Sequence, residues 1–190
     1  MFIKSSRQRG ISLVELVIFI VVVGIGLTGL LVVMGTASRS ADPLRRKQAL
    51  MIAESLMEEV MLARFTFCDI SDPNVELATA ATVAQCPTQL EGFGPEAGNV
   101  RPFDNVNDYV PAANTLHAGA FQNVGGVLVD LNNNPFPAGY TASLTVTPTI
   151  FQGVAANAAL KITVVVSDTV TKTEITLQSF RLQYAPNSPP

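Results

Sequence analysis

Between Leu16 and Ser38 the chain carries no charged side chain, and most positions are Val, Ile, Leu or Phe. An apolar stretch of that length can cross a bilayer as one helix. It begins at Ile11, directly after a short segment with Lys4, Arg7 and Arg9 that ends at Gly10. One acid, Glu15, stands near its head. A carboxylate inside a membrane helix costs roughly 2.5–3.5 kcal/mol at the centre and less toward an end. Glu15 therefore implies a partner or a purpose. The plain reading is a first-turn acid, where the helix dipole favours an anion.

Residues 7–16, Arg-Gln-Arg-Gly-Ile-Ser-Leu-Val-Glu-Leu, together with the apolar run, resemble the class III signal of type IV prepilins and type II secretion pseudopilins. The resemblance implies a prepilin peptidase that cuts after Gly10, N-methylation of the new terminus at Ile11, and an assembly role for Glu15. It also implies other pilin subunits and an inner-membrane assembly platform as partners. The usual first mature residue of that family is phenylalanine, and this chain has Ile11. The residues agree with the comparison. Gly10 leaves the backbone unshielded for a protease, and the basic leader favours a cytoplasmic N-terminus. Cleavage creates an amine at Ile11, one helical turn from Glu15. The same amine on a neighbouring subunit could neutralise that carboxylate during assembly.

Arg39, Arg45, Arg46 and Lys47 lie just beyond the run, so basic residues flank both ends and their count does not decide the topology. The short leader and the cysteines point to a periplasmic C-terminal part. Cys68 and Cys86 form an even pair, which suits a disulfide in an oxidising compartment. Half of a metal site lacks any nearby histidine or third cysteine, and two free thiols remain the other alternative. Gly35-Thr36-Ala37 has the small-x-small form of an ordinary secretory cleavage site, but the apolar run before it is long for that role and includes Glu15. Beyond Gln48 the basic residues are only Arg64, Arg101, Lys161, Lys172 and Arg181, and acids outnumber them. That argues against a nucleic-acid binder working by phosphate neutralisation, and no nucleic acid is expected as a partner.

The glycines at 24, 26 and 29 would let membrane helices approach closely. Asp42-Pro43 predicts a kink rather than an end. Ala49, Ile52, Ala53, Leu56, Met57, Val60 and Met61 then recur at helical spacing, with Gln48, Glu54, Ser55, Glu58 and Glu59 on the other sides. Glu58 and Glu59 read as a solvated face. From Thr66 to Asn123 the chain is irregular, with five X-Pro breaks. Strand signals follow at Val127–Val129, at Tyr140, Ala142, Leu144 and Val146, and at Leu160, Ile162, Val164 and Val166. Ile175 and Leu177 open a last strand whose apolar phase shifts to Phe180, Leu182 and Tyr184, which predicts a bulge near Gln178.

The expected organisation is a leader (1–10), a transmembrane helix (11–34), an amphipathic continuation (35–64), a variable loop region (65–124), an antiparallel sheet (125–184) and a tail (185–190). This is an α+β chain whose sheet is covered by residues 49–61, and it is similar to the pilin architecture. Phe65-Thr-Phe-Cys68-Asp and Phe180-Arg-Leu-Gln-Tyr184 resemble minor pilins of the MSHA (mannose-sensitive haemagglutinin) type. No nucleophile motif, phosphate-binding loop or zinc spacing is present, so no catalytic residue, metal or cofactor is expected. His117 reads as structural. Asp130-x-Asn132-x-Asn134 resembles the start of a calcium loop, but Pro135 and Thr141 occupy the glycine and glutamate positions. The leading expectation is a filament subunit, either a minor pilin or a type II secretion pseudopilin. A membrane-anchored periplasmic binding protein is the rival.

Overall fold

The computed structural model of the protein describes residues 12–78 and 82–183, and the side chains of residues 30–42 are not among those described. Gly10, Ile11, the leader and the 185–190 tail lie outside the described residues. A single helix, α1, runs Leu13–Leu62 with Pro43 inside it. The chain divides into two compact units, Met1–Leu44 and Arg45–Pro190.

Between Leu16 and Leu27 α1 is apolar on all sides. Leu13, Val14, Leu16 through Val23, Ile25 and Leu27 are all exposed. A helix apolar all round is one that some other surface covers. Among the described residues no helix is long and apolar enough to cross a membrane. The expected span, 11–34, runs past Gly29 into residues whose side chains are not described.

In the second unit, the stripe Ala49, Ile52, Ala53, Leu56, Met57 and Val60 is buried as its spacing predicts, with Met61 partly so. It shares one core with the strands β1 (Tyr140–Pro148), β2 (Ala159–Asp168) and β3 (Glu174–Leu182). These form an antiparallel sheet in the order β1-β2-β3. Period-2 alternation sends Ala142, Leu144 and Val146 inward beside their partners Val166, Val164 and Ile162. The α+β reading of the sequence holds: a helix covers the apolar face of a three-stranded sheet.

Three expectations are corrected. The bulge near Gln178 does not exist: pairing of β3 with β2 is unbroken from Glu174↔Ser167 to Leu182↔Ala159. The apolar phase changes because the face that needs cover changes. Ile175 and Leu177 pack on the core, whereas Phe180 lies on the other face and stacks on Phe151, ring centroids 4.3 Å apart. Val127–Val129 is not a strand of the sheet, which begins at Tyr140 instead of residue 125. Leu128 and Val129 make only isolated bridges, to Gln122 and Pro135. Their neighbourhood is claimed by side chains: Asn123 Oδ1 accepts from the Gly125 and Val127 amides, and Asp130 Oδ1 from those of Asn132 and Asn134. Such local bonds compete with strand pairing.

The third correction concerns Glu59. Glu58 is exposed, but Glu59 is only 4% exposed. Its carboxylate accepts from Arg101 Nε at 2.8 Å and Nη2 at 2.6 Å, and from the Tyr109 hydroxyl at 3.1 Å. Arg101 and Tyr109, from the segment that follows the helix, lie over that side of it and bury Glu59.

Candidate functional site

The N-terminal site begins with a cap. Ser12 Oγ accepts from the Glu15 backbone N–H at 3.2 Å, and the Ser12 carbonyl accepts from Leu16 at 3.1 Å. Ser12 is thus the residue that starts α1, satisfying one of the amide donors a helix leaves free. Glu15 is the third helical residue, so Ser12-x-x-Glu15 has the spacing of a capping box. That signature is local and was legible in the sequence, though it is absent from the expectations above. The Glu15 side chain is exposed, and among the described residues no basic group forms an ion pair with it. A Cβ built on Gly24, Gly26 or Gly29 would meet nothing within 4 Å. Among the described residues nothing packs closely enough on these positions to require glycine.

Residues 5–31 match the prokaryotic N-terminal methylation motif.

The match takes in Gly10, Ile11, Ser12, Glu15 and the three glycines, and nothing from residue 32 onward. Comparison with curated proteins and with solved structures returns no match. The methylation motif therefore speaks for the N-terminal segment, and the second unit has to be read from its own geometry.

There, Cys68 and Cys86 are joined in a disulfide, both buried. Around it the loop is ordered by carboxylates. Asp72 accepts from the backbone N–H groups of Asn74, Thr88 and Gln89 at 2.8–3.1 Å, and although its burial works the other way, these amides hold its carboxyl below the usual range. Asp168, at the end of β2, is fully buried and receives Arg45 Nη2 at 2.7 Å and Arg45 Nε at 2.5 Å. The Arg45 hydrogen bond holds the Asp168 carboxyl well below the ordinary carboxylate range. Gly139 is required beside it: its φ is +95°, and a Cβ there would meet Arg45 Nη2 at 2.9 Å.

Among the described residues, a different group of acids has no such cation. Asp69, Glu91, Glu96, Asp104 and Asp108 form two overlapping triads that share Glu96, in each of which the carboxylate oxygens lie within 4.8 Å of one another. Burial, and then the charges of Asp108, Glu96, Asp104 and Asp69, push the Glu91 carboxyl up to about 9. Burial and Glu96 push Asp108 up to about 7. None of the five was singled out from the sequence, where they are scattered over forty residues of Pro- and Gly-rich chain.

The remaining singled-out residues are structural. His117 Nδ1 lies 2.9 Å from the Tyr109 carbonyl, and its backbone pairs with Leu144 at the edge of β1. The Asp130 carboxylate is occupied by the amides of its own turn. A cleft of about 660 Å³ opens between these loops, with Asn99, Phe103, Asp108, His117 and Asp130 among its lining.

Proposed function

We propose that the chain is a pilin-like filament subunit, a minor pilin or pseudopilin, made as a prepilin, cut after Gly10, methylated on Ile11 and recruited through Glu15. The methylation motif at residues 5–31 carries this reading. The uncovered apolar helix behind it supports it: lipid would cover that surface before assembly and neighbouring helices afterwards. A periplasmic second unit follows from the basic leader and the disulfide. An incoming Ile11 amine meeting Glu15 in low dielectric would offset the cost of burying the acid. Its partners are then other pilin subunits, the prepilin peptidase that processes it, and an inner-membrane platform. The chain is a substrate of that peptidase and not itself an enzyme. An MSHA-type filament is favoured by the resemblance of residues 65–69 and 180–184, with a type II secretion pseudopilus as the alternative.

The decisive experiment uses Glu15→Val. The mutant should accumulate normally and lose residues 1–10 with gain of a methyl group by intact mass, while its incorporation into sheared filaments falls sharply. Wild-type incorporation would sink the recruitment role, and a mature N-terminus at Ser38 would replace the whole reading with ordinary secretion. The cleft in the loop region favours one second reading, a membrane-anchored periplasmic binding protein. Such a protein would stay with the membrane fraction when filaments are sheared.

A further inference from the structure

The sheet has two outer edges, and the fold treats them differently. Along β1 a stretch of the loop region supplies the missing neighbour: Asn114 donates its N–H to the Val146 carbonyl, and His117 and Leu144 exchange both backbone bonds. Along β3 nothing comparable is present among the described residues. The pairing shows which backbone groups of β3 are left over. Asp168 donates to the Thr173 carbonyl and Gln183 to that of Ala158, and both pairs continue the β2–β3 register. Hydrogen-bonded pairs alternate along an antiparallel ladder, so the odd-numbered residues of β3 bond to β2. Thr176, Gln178 and Phe180 therefore aim their N–H and C=O groups outward.

Free sheet edges are ordinarily blunted by proline, a bulge or charges set along them. Over residues 175–180 β3 has none of these: its register is unbroken, and neither proline nor a charged residue interrupts it. Its core face is unfinished as well. Ile175 and Leu177 pack on the core yet are only half-buried. Further along that face Arg181 is 9% exposed, and its Nε has no hydrogen-bond partner. The ion pairs among the described residues engage Arg45, Arg64 and Arg101, and none reaches Arg181. Burial pulls its guanidinium down from the ordinary value, with no acid to raise it again. Arginine keeps its charge in proteins, so a buried one without an anion leaves a charge uncompensated.

We infer that β3 is the docking edge for an extended acidic segment of another polypeptide, which joins as a fourth strand and sets a carboxylate against Arg181. Backbone pairs on Thr176, Gln178 and Phe180 leave Arg181 in a pair without mutual hydrogen bonds, where facing side chains come closest. An Asp or Glu there supplies the absent charge, and apolar residues opposite Leu177 and Ile175 complete the core face. Read from its N-terminus, an antiparallel partner has the pattern acid, any, small, any, apolar, any, apolar. Such docking draws affinity from main-chain bonds and specificity from alternate side chains. A second copy of β3 does not fit. On the same rungs, antiparallel self-pairing brings only Ile175, Leu177, Ser179 or Arg181 of that strand opposite Arg181, because its one acid, Glu174, points to the other face. The inference stands on the second unit alone and is independent of the filament reading.

The test titrates the full chain in detergent into a fluorescent, end-blocked peptide of that pattern, Thr-Glu-Thr-Ser-Thr-Val-Thr-Val-Thr. Anisotropy should saturate below about 1 mM, the weak end of specific affinity, and hydrogen exchange of the β3 amides should slow in the complex. The same peptide with Lys in place of Glu should bind at least about tenfold more weakly, since it sets a like charge on Arg181. Arg181→Gln should erase that preference, and without peptide it should be at least as stable as wild type, because an unpaired buried charge is gone. Gln178→Pro removes an N–H that faces outward, a place where an edge strand tolerates proline. It should leave the melting temperature nearly unchanged and abolish binding. No saturation by wild type up to about 1 mM, equal binding of the two peptides, or undiminished binding by Gln178→Pro would each overturn the proposal. Self-association of the chain that is lost in Gln178→Pro would give the edge to a second copy and overturn it too. If a variant fails to fold, the two peptides compared on wild type decide alone.

Discussion

Removing the Arg101 side chain should unfold the second unit more readily than any exposed substitution, through a mechanism confined to one buried constellation. Arg101 places two nitrogens on the Glu59 carboxylate, at 2.8 and 2.6 Å, and a third contact at 3.2 Å on the Val129 carbonyl. Its guanidinium also lies 5.4 Å from the centre of the Phe121 ring. Glu59 has no other charge partner among the described residues and is almost wholly enclosed, its side chain 2% exposed and that of Arg101 12%. In Arg101→Ala the carboxylate remains in its desolvated place with only the Tyr109 hydroxyl as donor. Breaking a buried pair on one side costs about 3–5 kcal/mol. For a folded unit of this size each kcal/mol moves the melting temperature by roughly 2–4 °C, so a fall of about 6–20 °C is expected by circular dichroism on the detergent-solubilised chain. Glu59→Gln, which keeps the shape and the acceptor but removes the charge, should lose less. A double change, Glu59→Leu with Arg101→Met, should recover much of the loss, because replacing both members of a buried pair by apolar groups is often close to neutral. Less than about 1 kcal/mol for Arg101→Ala, the typical value of an exposed pair, would refute the claim that this contact is buried and sealed.

Leu56→Asp should prevent folding of the second unit altogether, since Leu56 is 1% exposed in the middle of the helix stripe and a buried unpaired charge has no compensation there; unchanged thermal unfolding would mean that the stripe packs on something other than this sheet. Stability should also fall on acidification between about pH 4 and pH 2. The Asp168 carboxyl is depressed in the folded state by Arg45, so its contribution is present above the unfolded value near 3.9 and is lost as pH falls toward the folded one. Asp168→Asn should be less stable at pH 6 and show a shallower acid limb, and an acid limb as steep as that of wild type would remove Asp168 from the explanation.

Periodicity made the helix and the sheet legible because both depend on repeats of side-chain burial that a single sequence displays. The stripe from Ala49 to Val60 and the alternation of Leu144, Val146, Ile162 and Val164 needed no knowledge of distant contacts. Glu59 was misread for the converse reason. Its neighbour on the helix surface is Arg101, which arrives from a loop forty-two residues later, and no local pattern announces it. The strand expected at Val127–Val129 failed on competition: Asn123 and Asp130 offer the backbone a nearer acceptor than a neighbouring strand would. At the N-terminus the position was better. Glu15, Gly10 and the apolar run are all local, and so was the Ser12-x-x-Glu15 cap.

The acidity of the chain changes meaning once its placement is known. Counted along the sequence, an excess of acids over bases says only that polyanions are poor partners. In the fold it is concentrated. Asp72 and Asp168 are spent on amides and a guanidinium, and Glu59 on Arg101, so each is compensated where it stands. Asp69, Glu91, Glu96, Asp104 and Asp108 are instead gathered beside one another, where Asp69 and Asp108 also accept from the Ser71 and Asn105 backbone amides. Carboxyls held together out of water disfavour one another's charged forms, and Glu91 and Asp108 are pushed up accordingly. The disulfide contributes on the same side of the balance, because closing the loop from 68 to 86 lowers the entropy of the unfolded chain by an amount worth about 3 kcal/mol in the simplest treatment. A cross-link placed one residue from Asp69, and paired across to Leu90 beside Glu91, is positioned to keep those two acids together. On that reasoning, reducing the disulfide should lower the melting temperature of the second unit, and an unchanged melting temperature on reduction would remove the cross-link from the balance.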